Sequence, residues 1–227
     1  MSVPIFAPAD YFDLQQTDHA AIFDGVTQAW EILPILGKYL EKNLKPGNLG
    51  TLIGQPVIGE KVFIGAGTVV EPGAYIKGPA WIGPNCQIRH GAYIRENVVV
   101  GAGSVVGNSC EIKNSFLFNG CQVPHFNYVG DSVLGAKAHL AAGVIVSNLK
   151  LNGDFITLRV GPDVIATNLR KFGALIGDAA EVGCNAVINP GSILGRRSLI
   201  YPSVAWRGVL PANSIAKATD CVRERRG

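Results

Sequence analysis

The chain of 227 residues is 48% hydrophobic and only 16% charged, which excludes a disordered protein and leaves room for one sizeable domain with a small appendage. Its net charge of +3 is too small, and its basic residues too dispersed, for a nucleic-acid surface, and no segment approaches the ~20 apolar residues of a membrane span. The cysteines, Cys86, Cys110, Cys121, Cys184 and Cys221, are odd in number and show neither CxxC nor Cys/His metal spacing. The composition therefore predicts a reducing, cytoplasmic setting, with no disulfide framework and no metal.

Residues 1–48 read as a helical segment. The opening "MSVPIFAPADYFDL" has neither the basic start nor the long apolar core of an export signal. "TDHAAIFDGVTQAWEILPILGKYLEKNL" carries apolar residues at helical spacing, with Thr17 or Asp18 as N-cap and Gly25 and Pro34 as breaks, which predicts two short helices. Their expected place is the open end of the domain that follows, an end that a repetitive fold has to cover.

That domain, residues 49–218, is a repeat. Steps of six from Ile58 land on Ile64, Val70, Ile76, Ile82, Ile88, Ile94, Val100, Val106 and Ile112 without an exception. Four residues after each from Ile58 to Val106 stands a small or β-branched residue (Val62, Thr68, Ala74, Ala80, Cys86, Ala92, Val98, Ser104, Cys110), and Gly often follows the aliphatic. The beat fails across "KNSFLFNGCQVPHF" and resumes at Tyr128, Leu134, Leu140 and Val146. A second run takes in Ile176, Val182, Ile188, Leu194 and Ile200. Between the runs, residues 149–174 have no period and are predicted to leave the repeat as a functional excursion. Residues 219–227, with Arg223, Arg225 and Arg226, read as a solvated basic tail.

A six-residue period suits neither an amphipathic helix nor a hairpin meander. It suits an all-β parallel β-helix in which each hexapeptide supplies one short strand and one turn, and three make a triangular coil. The aliphatic points inward, the small residue fills the corner, and Gly or Asn supplies turn conformations that a Cβ resists. Cys86 and Cys110 are then corner-fillers.

The aliphatic-Gly hexapeptides together with "PHFNYVGDSVLGAKAHLAAGVIVSN" resemble the hexapeptide acyltransferases. Within them they resemble the acetyltransferase half of the bifunctional glucosamine-1-phosphate acetyltransferases and N-acetylglucosamine-1-phosphate uridyltransferases. "RKFGALIGD", Arg170 to Asp178, is similar to a stretch of the archaeal sugar-1-phosphate nucleotidylyltransferases. The resemblance covers about residues 50 to 218 and implies a left-handed coil, a homotrimer and acetyl-CoA as co-substrate. It implies His125 as catalytic base, Arg95 and Lys113 on a sugar phosphate, and Tyr128 and Asn148 on the sugar. Ala142, Cys184, Pro202 and Lys217 are the positions it gives to the acyl-CoA. His139 stands where the family commonly has a second asparagine, and Arg159, Arg170 and Lys171 lie in the excursion that replaces a short lysine loop. No Gly-rich nucleotidyltransferase opening precedes the repeats, so nucleotide transfer is not expected.

Acyl transfer from a thioester to a sugar amine needs a proton acceptor and two substrates held in line, and an imidazole suits the first task near neutral pH. The break in the beat is predicted to free the His125 side chain for a cleft. Arg95 and Lys113, one coil apart, are predicted to lie one above the other and grip one phosphate. The alternative is a non-catalytic paralogue that binds a sugar phosphate or a partner protein. A zinc enzyme on the same coil needs three suitably placed histidines, which His19, His90, His125 and His139 do not supply.

Overall fold

The computed structural model describes residues 6–218 and 221–224. The repeats wind into a left-handed parallel β-helix of about nine turns. Each turn contributes one strand to each of three flat sheets, here faces A, B and C, met in that order along the chain. Face A runs from Gly47–Asn48 to Val209–Leu210, face B from Thr51–Leu52 to Cys221–Glu224, and face C from Val57–Ile58 to Ala205–Trp206. The inward aliphatics Ile64, Val70, Ile76, Ile82, Ile88, Ile94, Val100, Val106 and Ile112 are all buried and stack as one core. Each contributes about 1.5–3 kcal/mol through removal of its side chain from water. The corner slots are hydrogen-bonded as well as small. Thr68 Oγ1 donates to Gly83 O at 2.6 Å and accepts from Cys86 N at 2.8 Å, tying successive coils together.

The beat does not fail after Ile112. The coil continues through Leu117, Val123 and Val129, all buried, on strands Ser115–Leu117, Gln122–His125 and Tyr128–Gly130. What changes is the turn from face C to face A. The steps from Ile112 to Leu117 and from Val129 to Leu134 have five residues, and each turn rests on one left-handed residue, Asn114 at φ 43° or Asp131 at φ 48°. The preceding coil uses the pair Glu96–Asn97 there. Counted back by six from Leu134 the beat therefore falls on Tyr128, which points outward, whereas Val129 is the core residue.

The N-terminal segment holds helices α1 (Pro8–Tyr11) and α2 (Leu36–Asn43), with 3-10 turns at Ala20–Phe23 and Ala29–Ile32. It does not cover the coil's end, where Leu49, Leu52, Ile53 and Val57 stay exposed. It lies along the outside of face A. There Phe12, Phe23, Trp30 and Leu36 form a second core with Val99, Phe116, Val133, Leu175 and Ile193, the outward residues of the face A strands. The physical reason is that these strands are apolar on both sides and need cover on both. The excursion joins the same layer. Its antiparallel hairpin, Thr157–Val160 with Asp163–Ala166, adds Leu158 and Ile165. Asp178 fastens the segment, since its carboxylate accepts from Asp13 N at 2.7 Å and from Ala136 N at 2.8 Å. At the other end the tail is not all solvated: Cys221–Glu224 pairs antiparallel with Ser214–Ala218, while Arg225 and Arg226 lie outside the described residues.

His19 is enclosed in this layer. Its Nδ1 lies 3.1 Å from the Tyr39 hydroxyl, its ring meets Trp81 edge-on at 4.5 Å, and its Nε2 is buried without a partner among the described residues. Burial lowers its pKa below the usual 6.5, against a smaller opposing effect of Asp18. The unfolded chain thus binds the proton first as the pH falls. The stability from a neutral His19 is complete above pH 6.5 and is lost as the pH drops from there through the folded-state value. Urea unfolding at pH 7.5 and pH 5 is expected to show this loss in the wild type and a smaller one in His19→Phe. Equal losses in both would assign the acid sensitivity elsewhere.

Candidate active site

His125 ends the strand Gln122–His125 at the edge between faces B and C, and its side chain is exposed because it sits on a corner of an unbroken coil. Phe126, which makes the corner, has φ 53° and is 60% exposed. A left-handed backbone costs a non-glycine residue roughly 1–2 kcal/mol, and here a buried side chain holds it in place. Asn127 Oδ1 accepts from His125 N at 3.1 Å, and Asn127 Nδ2 donates to Ala141 O at 2.8 Å in the next coil.

Three of the positions given to the acyl-CoA stack above His125 on this same edge. Gly143 N donates to His125 O at 3.0 Å, Asn185 N to Ala142 O at 2.9 Å and Ser203 N to Cys184 O at 2.8 Å, so His125, Ala142, Cys184 and Pro202 occupy equivalent corners of successive coils. The backbone N–H groups of Ala142 and Cys184 have no partner among the described residues, and the Cys184 thiol is exposed. Lys217 Nζ lies over the Tyr201 ring, 5.5 Å from its centre, beside Pro202. A row of open donors thus leads from the top of the column down to an exposed imidazole.

The residues that the resemblance gives to a sugar phosphate gather on a different edge, between faces C and A. Lys113 Nζ lies 3.0 Å from Asp131, whose side chain is only 7% exposed. Asn114 Nδ2 also donates to Asp131, at 2.8 Å, and so does Asn148 Nδ2, at 2.5 Å. The Tyr128 hydroxyl and the Asn148 amide face the same side of Gly130. The phenol pKa of Tyr128 is raised, first by burial and then by the Asp131 carboxylate. Gly130 makes this closeness possible, because a Cβ there would stand 2.6 Å from Asn148 Nδ2 and 2.7 Å from Tyr128 Oη. One coil below, Arg95 pairs with Glu111 at 2.9 Å and Glu96 at 3.4 Å. Arg95 and Lys113 do lie on neighbouring coils, as their spacing predicts, but each already faces a carboxylate.

The structure does not bring His125 together with Arg95 and Lys113 inside one chain. The two edges are separated by the width of face C, about 10–15 Å at ~3.3 Å per strand residue. His139 is on neither edge. It lies on the outside of face B, in register with Gln122 and Glu181. Arg159, Arg170 and Lys171 are exposed on the excursion. Sequence reasoning gave no role to Asp131, the hub of the polar cluster, or to its partner Asn114. The signal was present in the two turns shortened by a residue. Among the described residues no group of three or more His, Cys, Asp or Glu side chains is placed to hold a metal, and no helix is long and apolar enough to cross a membrane.

A family model described as the GMPPB C-terminal domain matches residues 76–169. The bifunctional protein GlmU of Methanococcus vannielii is 34% identical over 184 residues, 78% of this chain and 42% of that protein. The chain thus spans less than half the length of that curated relative. Uncharacterized acetyltransferase YaiX of Escherichia coli O6:K15:H31 is 32% identical over 191 residues, 83% of each chain. Among solved structures, the polySia specific acetyltransferase NeuO gives a TM-score of 0.37 at 16% identity, covering 77% of this chain and 79% of that one. The chain belongs to the hexapeptide-repeat β-helix acetyltransferases. Within that family it is related to the acetyltransferase domains of GlmU.

Proposed function

We propose that the protein transfers an acetyl group from acetyl-CoA to the amine of an amino-sugar 1-phosphate such as glucosamine-1-phosphate. The amine nitrogen attacks the thioester carbonyl, His125 takes the proton the nitrogen must shed, and the C–S bond breaks to release the coenzyme thiolate, which is protonated in turn. The observation that carries this reading is the column on the edge between faces B and C, with its open N–H groups at Ala142 and Cys184 aligned above an exposed imidazole. Lys113, Asn148 and Tyr128, clustered around Asp131, hold the acceptor, with Arg95 one coil below as the second cation of the phosphate grip.

The working unit in this reading is a homotrimer with sites between chains. Two observations support it. The amine and the phosphate of such an acceptor sit on adjacent carbons, too close together to reach both edges of face C in one chain. Face C also carries a half-exposed apolar row, Val57, Tyr75, Tyr93, Tyr128, Ile145 and Val187, interrupted only by Glu111 and in register from coil to coil. A neighbour packed along it brings its own His125 to this chain's Lys113.

The test is a thiol-release assay with acetyl-CoA and glucosamine-1-phosphate, extended to other amino sugars and acyl donors, with light scattering for mass. Turnover with a phosphorylated amino sugar by a species of three chains is the expected result. No turnover with any acceptor would instead favour a paralogue that binds a sugar phosphate or a partner protein.

A further inference from the structure

We propose that helix α2 forms the second wall of the acceptor site, and that Lys38 is a specificity-determining contact for the acceptor's phosphate; the inference rests on the acyl-transfer reading above. A cleft of about 440 Å³ runs between α2 and the edge of faces C and A, with Lys113, Asn114 and Asp131 on the coil side and Gly37, Lys38 and Glu41 on the helix side. It opens directly onto the polar cluster that gathers the sugar-phosphate residues.

The helix wall is fixed. Leu36 and Leu40 are buried in the layer over face A, and Gly37 rides so close to the coil that a Cβ there would stand 2.9 Å from Asn97 Oδ1. The facing side chains of α2 therefore have a set distance from Lys113. The charges then decide what the cleft accepts. Lys113 is neutralised by Asp131, and Glu96, on the same wall, by Lys77 at 3.1 Å and Arg95 at 3.4 Å. The side chains of Lys38 and Glu41 make no hydrogen bond or ion pair among the described residues. A phosphate entering the cleft meets one cation with no carboxylate of its own, Lys38, and can share Lys113 with Asp131. Glu41 opposes a bare anion and accepts from hydroxyl or amine groups of the sugar, so the cleft favours a phosphorylated amino sugar over a free phosphate.

The experiment compares wild type, Lys38→Ala and Glu41→Gln with glucosamine-1-phosphate and with unphosphorylated glucosamine as acceptors, and adds calorimetric titration of glucosamine-1-phosphate in the presence of coenzyme A. Lys38→Ala is expected to raise the KM for glucosamine-1-phosphate about tenfold, as loss of one charge-assisted contact does, with kcat and the KM for acetyl-CoA little changed and no effect on glucosamine. Glu41→Gln, which keeps an acceptor oxygen for the sugar and removes the charge that opposes the anion, is expected to lower it. An unchanged KM in Lys38→Ala, with the wild type active, overturns this inference and leaves the acyl-transfer reading standing. Binding that weakens in Lys38→Ala without any turnover in the wild type does the reverse, and no binding to the wild type removes both.

Discussion

His125→Ala is expected to lower kcat for acetyl transfer by at least ~100-fold, the low end of what a positioned general base contributes. The substitution removes an imidazole that is exposed on a corner, and the corner itself is held by backbone bonds and by Asn127, all of which survive. The fold and coenzyme affinity should therefore stay close to wild type, because the donors at Ala142 and Cys184 belong to the backbone of other coils. Steady-state kinetics, a coenzyme A titration and a melting curve together read this out. Turnover that persists in His125→Ala would remove the imidazole from the mechanism.

The second large effect concerns the distance between the two edges. If the base of one chain serves the phosphate grip of the next, His125→Ala subunits mixed with Arg95→Ala/Lys113→Met subunits should regain activity that neither has alone. In a ring of three assembled at random from equal amounts, three quarters of the rings are mixed and each mixed ring has one intact site in three, so about a quarter of the sites recover. Each lost cation removes a contact of about 1.5–3 kcal/mol, so the double variant is nearly silent at low acceptor concentration. Co-expression with two different tags, followed by purification on both, isolates the mixed rings, in which one site in three is then expected to be active. Hybrids as inactive as their parents would place base and phosphate grip on the same chain, or the phosphate elsewhere.

The coil was legible because its signal is redundant: an inward Ile or Val at each hexapeptide and a small residue four positions on agree over many turns. Tyr128 and Val129 show where such reading stops. A search with a fixed step loses phase when a turn drops one residue, and the turns at Asn114 and Asp131 do so. The same shortening draws Asp131 onto Lys113, a pairing that 18-residue spacing on its own cannot reveal. Of the two helices expected over 17–44 only α2 is one; the earlier part forms two 3-10 turns, and α1 lies outside that stretch, because apolar spacing says only that a segment has a buried side. The complementary sign was on the coil, in the outward apolar residues Val99, Phe116, Val133, Leu175 and Ile193. For the candidate site, resemblance supplied the residues, whereas their division between two edges follows from how the chain winds, which no local stretch of sequence encodes.

The layer over face A also bears on how large an assembly can grow. A triangular prism with three adhesive sides would pack like columns in a honeycomb, each neighbour offering fresh surfaces without end. Here α2, the 3-10 turns and the excursion hairpin occupy one side with the chain's own apolar residues. The outer row of face B includes polar Gln87, Gln122, His139 and Glu181, which leaves face C as the side with an apolar row to offer. If copies associate through face C, as the homotrimer reading requires, columns that adhere through that one side and its two borders close on themselves after a few members, and the wrapping would then act as a stop against an open array.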